Sequence, residues 1–408
     1  VTDTLIDLAE PTIWASRFPE ELFAALRART PVFHQQLTDD VKSAVGREFW
    51  VCTKHSDVAR VHRDSELFTA TRGPLIQDVP LFDAYPALVS LDPPDHTIRR
   101  KVISRAFTPR AVAKLEDGIR QRARTMAGAL LASGGGEFVD LAAGLPMSVI
   151  GDIVGIPEAD RSHVFHLIET VLKTAGAQLA VPDGDDVLPF VELFEYASRL
   201  TAQKREHPVD DIWSALCTTE IAAESGESFL LPSNELEIFF FVLGLAGADT
   251  TRNALCDGIR AFVASPDQIE IYRSDPDARS TAVEEVIRYS TPIMFWVRGA
   301  TRDVTFGDTL VPEGARVVTM LRSANRDEDV FENPYQFDIR RDPNPHQSFG
   351  GGGAHHCLGA MLARAEIRAA LDEILLNANA IEIGEPTMTL PDLSNNMTVY
   401  DSLPISLN

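Results

Sequence analysis

Four consecutive glycines, Gly350 to Gly353, lead into Ala354-His355-His356-Cys357-Leu358-Gly359 and then into a long apolar-periodic stretch. No other segment constrains the fold as strongly. Glycine adopts positive φ without a steric penalty, so backbone can wrap closely around the cysteine sulfur. The periodicity predicts a helix over 358–376. Its unpaired N–H groups and positive dipole end would face the sulfur and favour thiolate over thiol. The fold must therefore hold one sulfur in a backbone cradle at the start of a helix. A lone thiolate so held suits the axial position of a haem iron.

Other chemistries for this segment fail on spacing. Adjacent ligands such as His355-His356-Cys357 chelate zinc poorly, and no CxxC or HxxxH pair completes a tetrahedron. A covalently attached c-type haem needs CxxCH, which is absent. Four cysteines (Cys52, Cys217, Cys256, Cys357) in 408 residues form no disulfide framework and fit a reducing compartment. A net charge of −23 argues against nucleic acid and anionic membrane surfaces as main partners. Residues 1–7 carry neither the basic nor the apolar region of a secretory signal. The longest apolar run, Ile238 to Ala248, is too short to span a bilayer. The expectation is a soluble cytoplasmic protein without membrane insertion.

Along the chain, helical periodicity dominates. A helix is predicted over 18–26, and strands over 31–36 and 48–53 flank a polar turn at Gly46. Residues 71–90 form a long loop of no clear period, the kind that usually serves function. From Asp92 to about Ala264 the pattern is largely helical, with breaks at 134–136, 155–157, 182–184 and around 225–226. Strands are expected at 293–299, 304–306 and 316–319. No internal repeat or low-complexity linker interrupts the chain.

A second chemical signal is Ala246-Gly247-Ala248-Asp249-Thr250-Thr251, an acid and two threonines inside the most apolar helical pattern. Threonine can bond back to the carbonyl four residues earlier and open a local bulge. Gly247 and its small neighbours leave room for a ligand beside the backbone. Two further patterns are Glu284-Glu285-Val286-Ile287-Arg288, where Glu285 and Arg288 share a helix face, and Asp92-Pro93-Pro94-Asp95-His96-Thr97-Ile98-Arg99-Arg100, where His96 and Arg100 do.

These motifs together resemble the cytochrome P450 family, whose signature is Phe, a glycine turn, a basic residue two before the cysteine, and Cys-Leu/Ile-Gly. Eight residues of spacing from Phe349 to Cys357 are one more than the commonest bacterial loop. The longer loop is similar to that of mycobacterial P450s acting on sterol side chains and methyl-branched lipids. The resemblance covers nearly the whole chain and implies a mainly α P450 fold: one domain over 1–408, with a large helical body and a smaller β-rich region.

The resemblance also implies haem b (iron-protoporphyrin IX) ligated by Cys357. His96, Arg100, Arg298, His355 and Gly359 would bind the cofactor, the basic groups through its propionates. Thr250 would hold water where oxygen is activated, and Asp249 would feed it protons from solvent. Glu285 and Arg288 would join a second arginine, Arg340 or Arg341, in a structural network behind the cysteine loop. Leu243, Ala246, Met294, Phe295, Trp296 and Val399 would line a pocket for a small apolar substrate, closed by the loop from Leu75 to Tyr85. That lining favours a sterol, branched-chain lipid or terpenoid.

No flavin or iron–sulfur motif is visible, so electrons would come from a separate ferredoxin and ferredoxin reductase. Arg99, Arg100, Lys101, Arg105 and Arg110, with Arg364 and Arg368, offer the ferredoxin a basic dock. Two other readings are a haem-thiolate sensor without turnover and a peroxide-driven enzyme. The first lacks an output domain here, and neither needs the Asp249–Thr250 pair.

Overall fold

A computed structural model describes residues 8, 11–14, 18–37, 48–77, 82, 87–175, 187–222, 228–390 and 396–408. The expected turn at Gly46, the break at 182–184, the one at 225–226 and most of the loop from 78 to 86 lie outside them. The architecture is mainly helical. A 32-residue helix, Ser233–Ala264, runs through the body. It is packed against Phe138–Val154, Val187–Glu206, Ala278–Ser290 and Ala360–Leu375.

Glycines let this central helix sit close to its neighbours. A Cβ at Gly244 would approach Ile168 Cδ1 to 2.9 Å, one at Gly247 would approach Ile150 Cδ1 to 2.5 Å, and one at Gly258 would approach Val286 Cγ1 to 2.8 Å. Gly247 therefore serves helix packing as well as bordering the cavity described below, a tighter constraint than the open ligand space expected of it. The helix runs unbroken through Thr250 and Thr251, so the threonine back-bond opens no interruption in it.

The sheet region lies to one side. Its five strands run in the order Val32–Gln35, Phe49–Cys52, Arg316–Thr319, Trp296–Ala300, Phe68–Thr69. The Phe49–Cys52 and Arg316–Thr319 pair is parallel and the others antiparallel. Gly134 to Gly136 break the helical run as expected, between the helices Pro109–Ala132 and Phe138–Val154, and two of them also enter a strand: Gly135–Glu137 pairs with Pro404–Leu407. A side chain at Gly135 would strike the Ile405 carbonyl at 2.2 Å, so only glycine permits the pairing. Gly155, with φ of 68°, does end its helix as expected.

Glu285 and Arg288 are fully buried and paired at 2.8 Å. Arg341 completes the network, its Nε 3.2 Å from Glu285 Oε2, while Arg340 turns outward to Asp275 at 2.9 Å. Arg288 also donates to the carbonyls of Asn325, Pro334 and Gln336. The network thus ties the Ala278–Ser290 helix to the irregular segment that leads into the cysteine loop.

Candidate active site

The cysteine cradle is built from backbone. Gly350, Gly351, Gly352 and Gly353 all adopt positive φ, from 64° to 147°. At Gly353 a Cβ would lie 2.3 Å from the His62 carbonyl, because the helix His55–Arg63 presses against the loop. The Cys357 N–H donates to the Phe349 carbonyl at 2.9 Å, closing the turn. The Gly359 N–H donates to the Cys357 sulfur, and the Ala360–Leu375 helix begins one residue later.

Cys357 is exposed where it lines a cavity of about 300 Å³. Burial pushes its thiol up; the Gly359 N–H, Arg100 and Arg364 pull the other way without prevailing. The helix start acts in the expected direction, but desolvation outweighs it, so the expected preference for thiolate is not reached by these groups alone.

Basic groups gather at one end of this cavity. His96 is buried and, among the described residues, neither of its ring nitrogens is hydrogen-bonded and His355 Nε2 has no partner. Their rings lie 4.1 Å apart. The Arg298 guanidinium, 3% exposed, bonds among the described residues only to the Val297 carbonyl and sits over the Trp296 ring. Burial lowers His96 to about 4, His355 to about 2 and Arg298 to about 10; repulsion from Arg298 and Arg100 adds to the fall at the two histidines, while Asp92 opposes it at His96 and Arg298. Arg100 reaches from the Asp95–Ile103 helix to the His356 carbonyl at 2.5 Å. Buried donors without acceptors are costly. A group carrying carboxylates would satisfy them, and a metal cation would satisfy the sulfur. The residues present therefore fit haem, held through Cys357 at its iron and through His96, Arg298 and His355 at its acidic edge.

The central helix forms the opposite wall. Leu243, Ala246 and Thr250 border the cavity. The Thr250 hydroxyl donates to the Ala246 carbonyl at 2.7 Å, which leaves its oxygen lone pairs to the cavity. Asp249 is buried beside it and paired with Arg252 at 2.7 Å, off the cavity surface. Ile293 and Trp296 also line the wall. Met294 and Phe295 do not; both are buried in the apolar cluster of the sheet and N-terminal helix. The chain becomes a regular strand only at Trp296, so the alternation expected from 293 onward does not hold. Val399 is likewise displaced from the cavity, pairing with Thr389 in a strand. The C-terminal turn acts indirectly: the Asn396 carbonyl accepts from Met294 N–H, and Asn396 Nδ2 donates to the Phe295 carbonyl. Leu75 and Ile76 are buried, whereas residues 78–81 and 83–86 of the expected lid lie outside the described residues.

Several lining residues escaped the sequence reading, Leu88, Val89, His62 and Glu366 among them. Leu88 and Val89 extend the apolar wall. His62 sits at the basic end, on the apolar face of a helix that also buries Val58, Ala59 and Val61; a histidine in that register was the available signal. Glu366, on the helix after Cys357, is 2% exposed and accepts from Thr251, with its Oε1 unpartnered. Burial holds its carboxyl up at about 8, so it is neutral at pH 7. Its appearance in an amphipathic helix pattern gave no sign of this.

On the outer face, Lys101, Arg105 and Arg110 are exposed. Arg99 is not free for docking, since Glu235 and Asp95 hold it at 2.7 and 2.9 Å. Arg364 is paired with Glu284 at 2.5 Å and Arg368 with Asp372 at 2.8 Å. No helix among the described residues is long and apolar enough to cross a membrane.

Comparison with known proteins agrees with this geometry. The cytochrome P450 family model matches residues 280–403, the stretch with the Glu285–Arg288 network and the cysteine loop. The steroid C26-monooxygenase of Mycolicibacterium smegmatis is 36% identical over 389 residues, 93% of this chain and 89% of that protein. The methyl-branched lipid omega-hydroxylase of Mycobacterium tuberculosis is 35% identical over 378 residues, 90% of this chain and 87% of its own length. The structure of the Mycobacterium marinum cytochrome P450 CYP268A2 in complex with pseudoionone superimposes with a TM-score of 0.88 at 36% identity, covering 100% of this chain and 99% of that one. Resemblance at this level along nearly the whole length, and not the cysteine loop alone, makes the chain a member of the cytochrome P450 family of haem-thiolate monooxygenases.

Proposed function

We propose that residues 1–408 work as one unit that hydroxylates a sterol, a methyl-branched lipid or a terpenoid, with electrons from a separate ferredoxin and ferredoxin reductase. The observation that carries the substrate class is the wall facing Cys357. Val242, Leu243, Ala246, Leu88, Val89 and Ile293 make it mostly apolar, with Thr250 and Thr251 as its polar members on the central helix. Such a wall binds by excluding water from hydrocarbon and offers no cation to an acidic head group on that side. The steroid C26-monooxygenases and methyl-branched lipid omega-hydroxylases named among the relatives support the same class.

Haem, when bound, supplies the oxygen chemistry. The chain's own residues do the rest. Cys357 would hold the haem iron through its sulfur, whose position the cradle fixes. His96, Arg100, Arg298 and His355 orient the acidic edge through charge-assisted bonds. Thr250, its own proton committed to the Ala246 carbonyl, accepts from a water or substrate-side donor and so holds a proton donor at the cavity surface. Asp249 relays protons to that point by leaving Arg252. Lys101, Arg105 and Arg110 form the dock for an acidic ferredoxin.

A single experiment tests the central reading. The ferrous–CO difference spectrum of the purified protein should carry the strongly red-shifted Soret band of thiolate ligation, and Cys357→Ala should lose it. Titration with a cholestane-type steroid, a methyl-branched fatty acid and an acyclic terpenoid ketone should then move at least one from low to high spin. An unshifted band in folded, haem-loaded wild type would overturn the ligand assignment. A normal band with no spin shift from any of the three would overturn the substrate class.

A further inference from the structure

His62 has no part in the roles above, yet its ring lines the basic end of the cavity with Arg298, His96 and His355. It is 7% exposed. Its Nε2 lies 3.0 Å from Thr319 Oγ1, and the Thr319 hydroxyl donates its one proton to the Trp296 carbonyl at 2.9 Å. Thr319 must therefore accept from His62, which fixes the neutral ring as the Nε2–H tautomer. Nδ1 is left with an acceptor lone pair on the side of the ring toward Gly350, and no hydrogen bond reaches it among the described residues. Arg298 is close enough to repel a proton from this ring, and His62 exerts the same effect on His355.

The surroundings say what this acceptor is for. Arg298, His355, His96 and His62, contributed by four separate segments, line one cavity, and the carboxyl group among its described lining residues, Glu366, is kept neutral by burial. An imidazole acceptor braced from behind complements a group that brings both negative charge and an exchangeable proton. We propose that His62 is a further anchor for the carboxylate edge of the haem, its Nδ1 sharing one proton with a carboxyl group while Thr319 and the Trp296 carbonyl hold the ring in place. The proposal rests on the reading of the cavity as the haem site ligated by Cys357. It also gives the cofactor edge a hydrogen-bonded connection, His62 to Thr319 to the Trp296 carbonyl, to the backbone of a residue that lines the cavity.

The test is a cycle between residue 62 and the carboxylates of the cofactor. Wild type and His62→Leu are each loaded with protohaem and with its dimethyl ester, and haem transfer to excess apomyoglobin is timed. A lost charge-assisted hydrogen bond should speed protohaem release about tenfold, while the ester should be released at nearly equal rates from both proteins. Equal acceleration with both haems would show that His62 only fills space and would overturn the proposal, as would no acceleration at all. Thr319→Val leaves the imidazole in place and removes its support. It should give a smaller acceleration with protohaem alone, and an unchanged protohaem rate would also overturn the proposal. If the leucine variant does not fold, the valine variant decides. The ferrous–CO band is recorded for every protein: a thiolate band throughout keeps the Cys357 assignment standing whatever the release rates show, and its absence from wild type would sink that assignment instead.

Discussion

At the scale of single residues, what matters is where each proton sits. Thr250 spends its hydroxyl proton on the helix and faces the cavity as an acceptor, with Asp249 one residue away but turned to Arg252. Thr250→Ala should uncouple the enzyme, releasing peroxide and lowering product per NADH consumed by at least about tenfold; unchanged coupling would count against the role given to it. Glu366 is the second residue whose proton is conspicuous. Burial raises its carboxyl to about 8, far above the ordinary value of about 4.3. The neutral carboxyl thus contributes stability that is complete below about pH 4.3 and is lost as pH rises through about 8. Wild-type Tm should fall across that window, and Glu366→Gln should flatten the fall. Parallel Tm curves from pH 5.5 to 8.5 would refute the assignment of a buried neutral acid.

At the scale of elements, the cavity helix and the cysteine loop are held by different means. The helix is seated by glycines, so Gly247→Ala should destabilise the protein by about 1–3 kcal/mol through overpacking against Ile150. Ile150→Val should recover part of that loss, read by denaturant melts of the single and double variants. The loop is held by ions: Glu285→Ala strands Arg288 and Arg341 in the interior and should cost about 3–5 kcal/mol. Arg341→Ala should weaken haem retention as well, because the segment it ties down leads straight into the cradle. Arg340→Ala, which removes only an exposed pair with Asp275, should leave both unchanged.

At the scale of the whole molecule, charge is unevenly spread. A chain of net charge −23 keeps Lys101, Arg105 and Arg110 exposed beside the helix that reaches the cysteine loop, while Arg99, Arg364 and Arg368 are neutralised by carboxylates. The proposed dock is therefore smaller than the run of basic residues implied. Reversing Lys101, Arg105 and Arg110 to Glu should slow reduction by an acidic ferredoxin at low ionic strength, with the difference shrinking as salt is added. Reduction by dithionite should not change. Equal ferredoxin rates in both proteins at low salt would place the dock elsewhere.

The sequence alone determined the features whose cause is local. Glycines at positive φ, a cysteine at a helix start, the Thr250 back-bond and the period of the long apolar helix all follow from residues within a few positions of one another. Tertiary structure decided everything set by neighbours distant in the chain. It chose Arg341 over Arg340 for Glu285, turned Gly135 into a strand residue against Ile405, and sent Met294, Phe295 and Val399 away from the cavity. It also kept Glu366 protonated and brought His62 to the basic end. A buried side chain's charge and partners depend on what desolvates it, and the elements that do so here come from opposite ends of the chain.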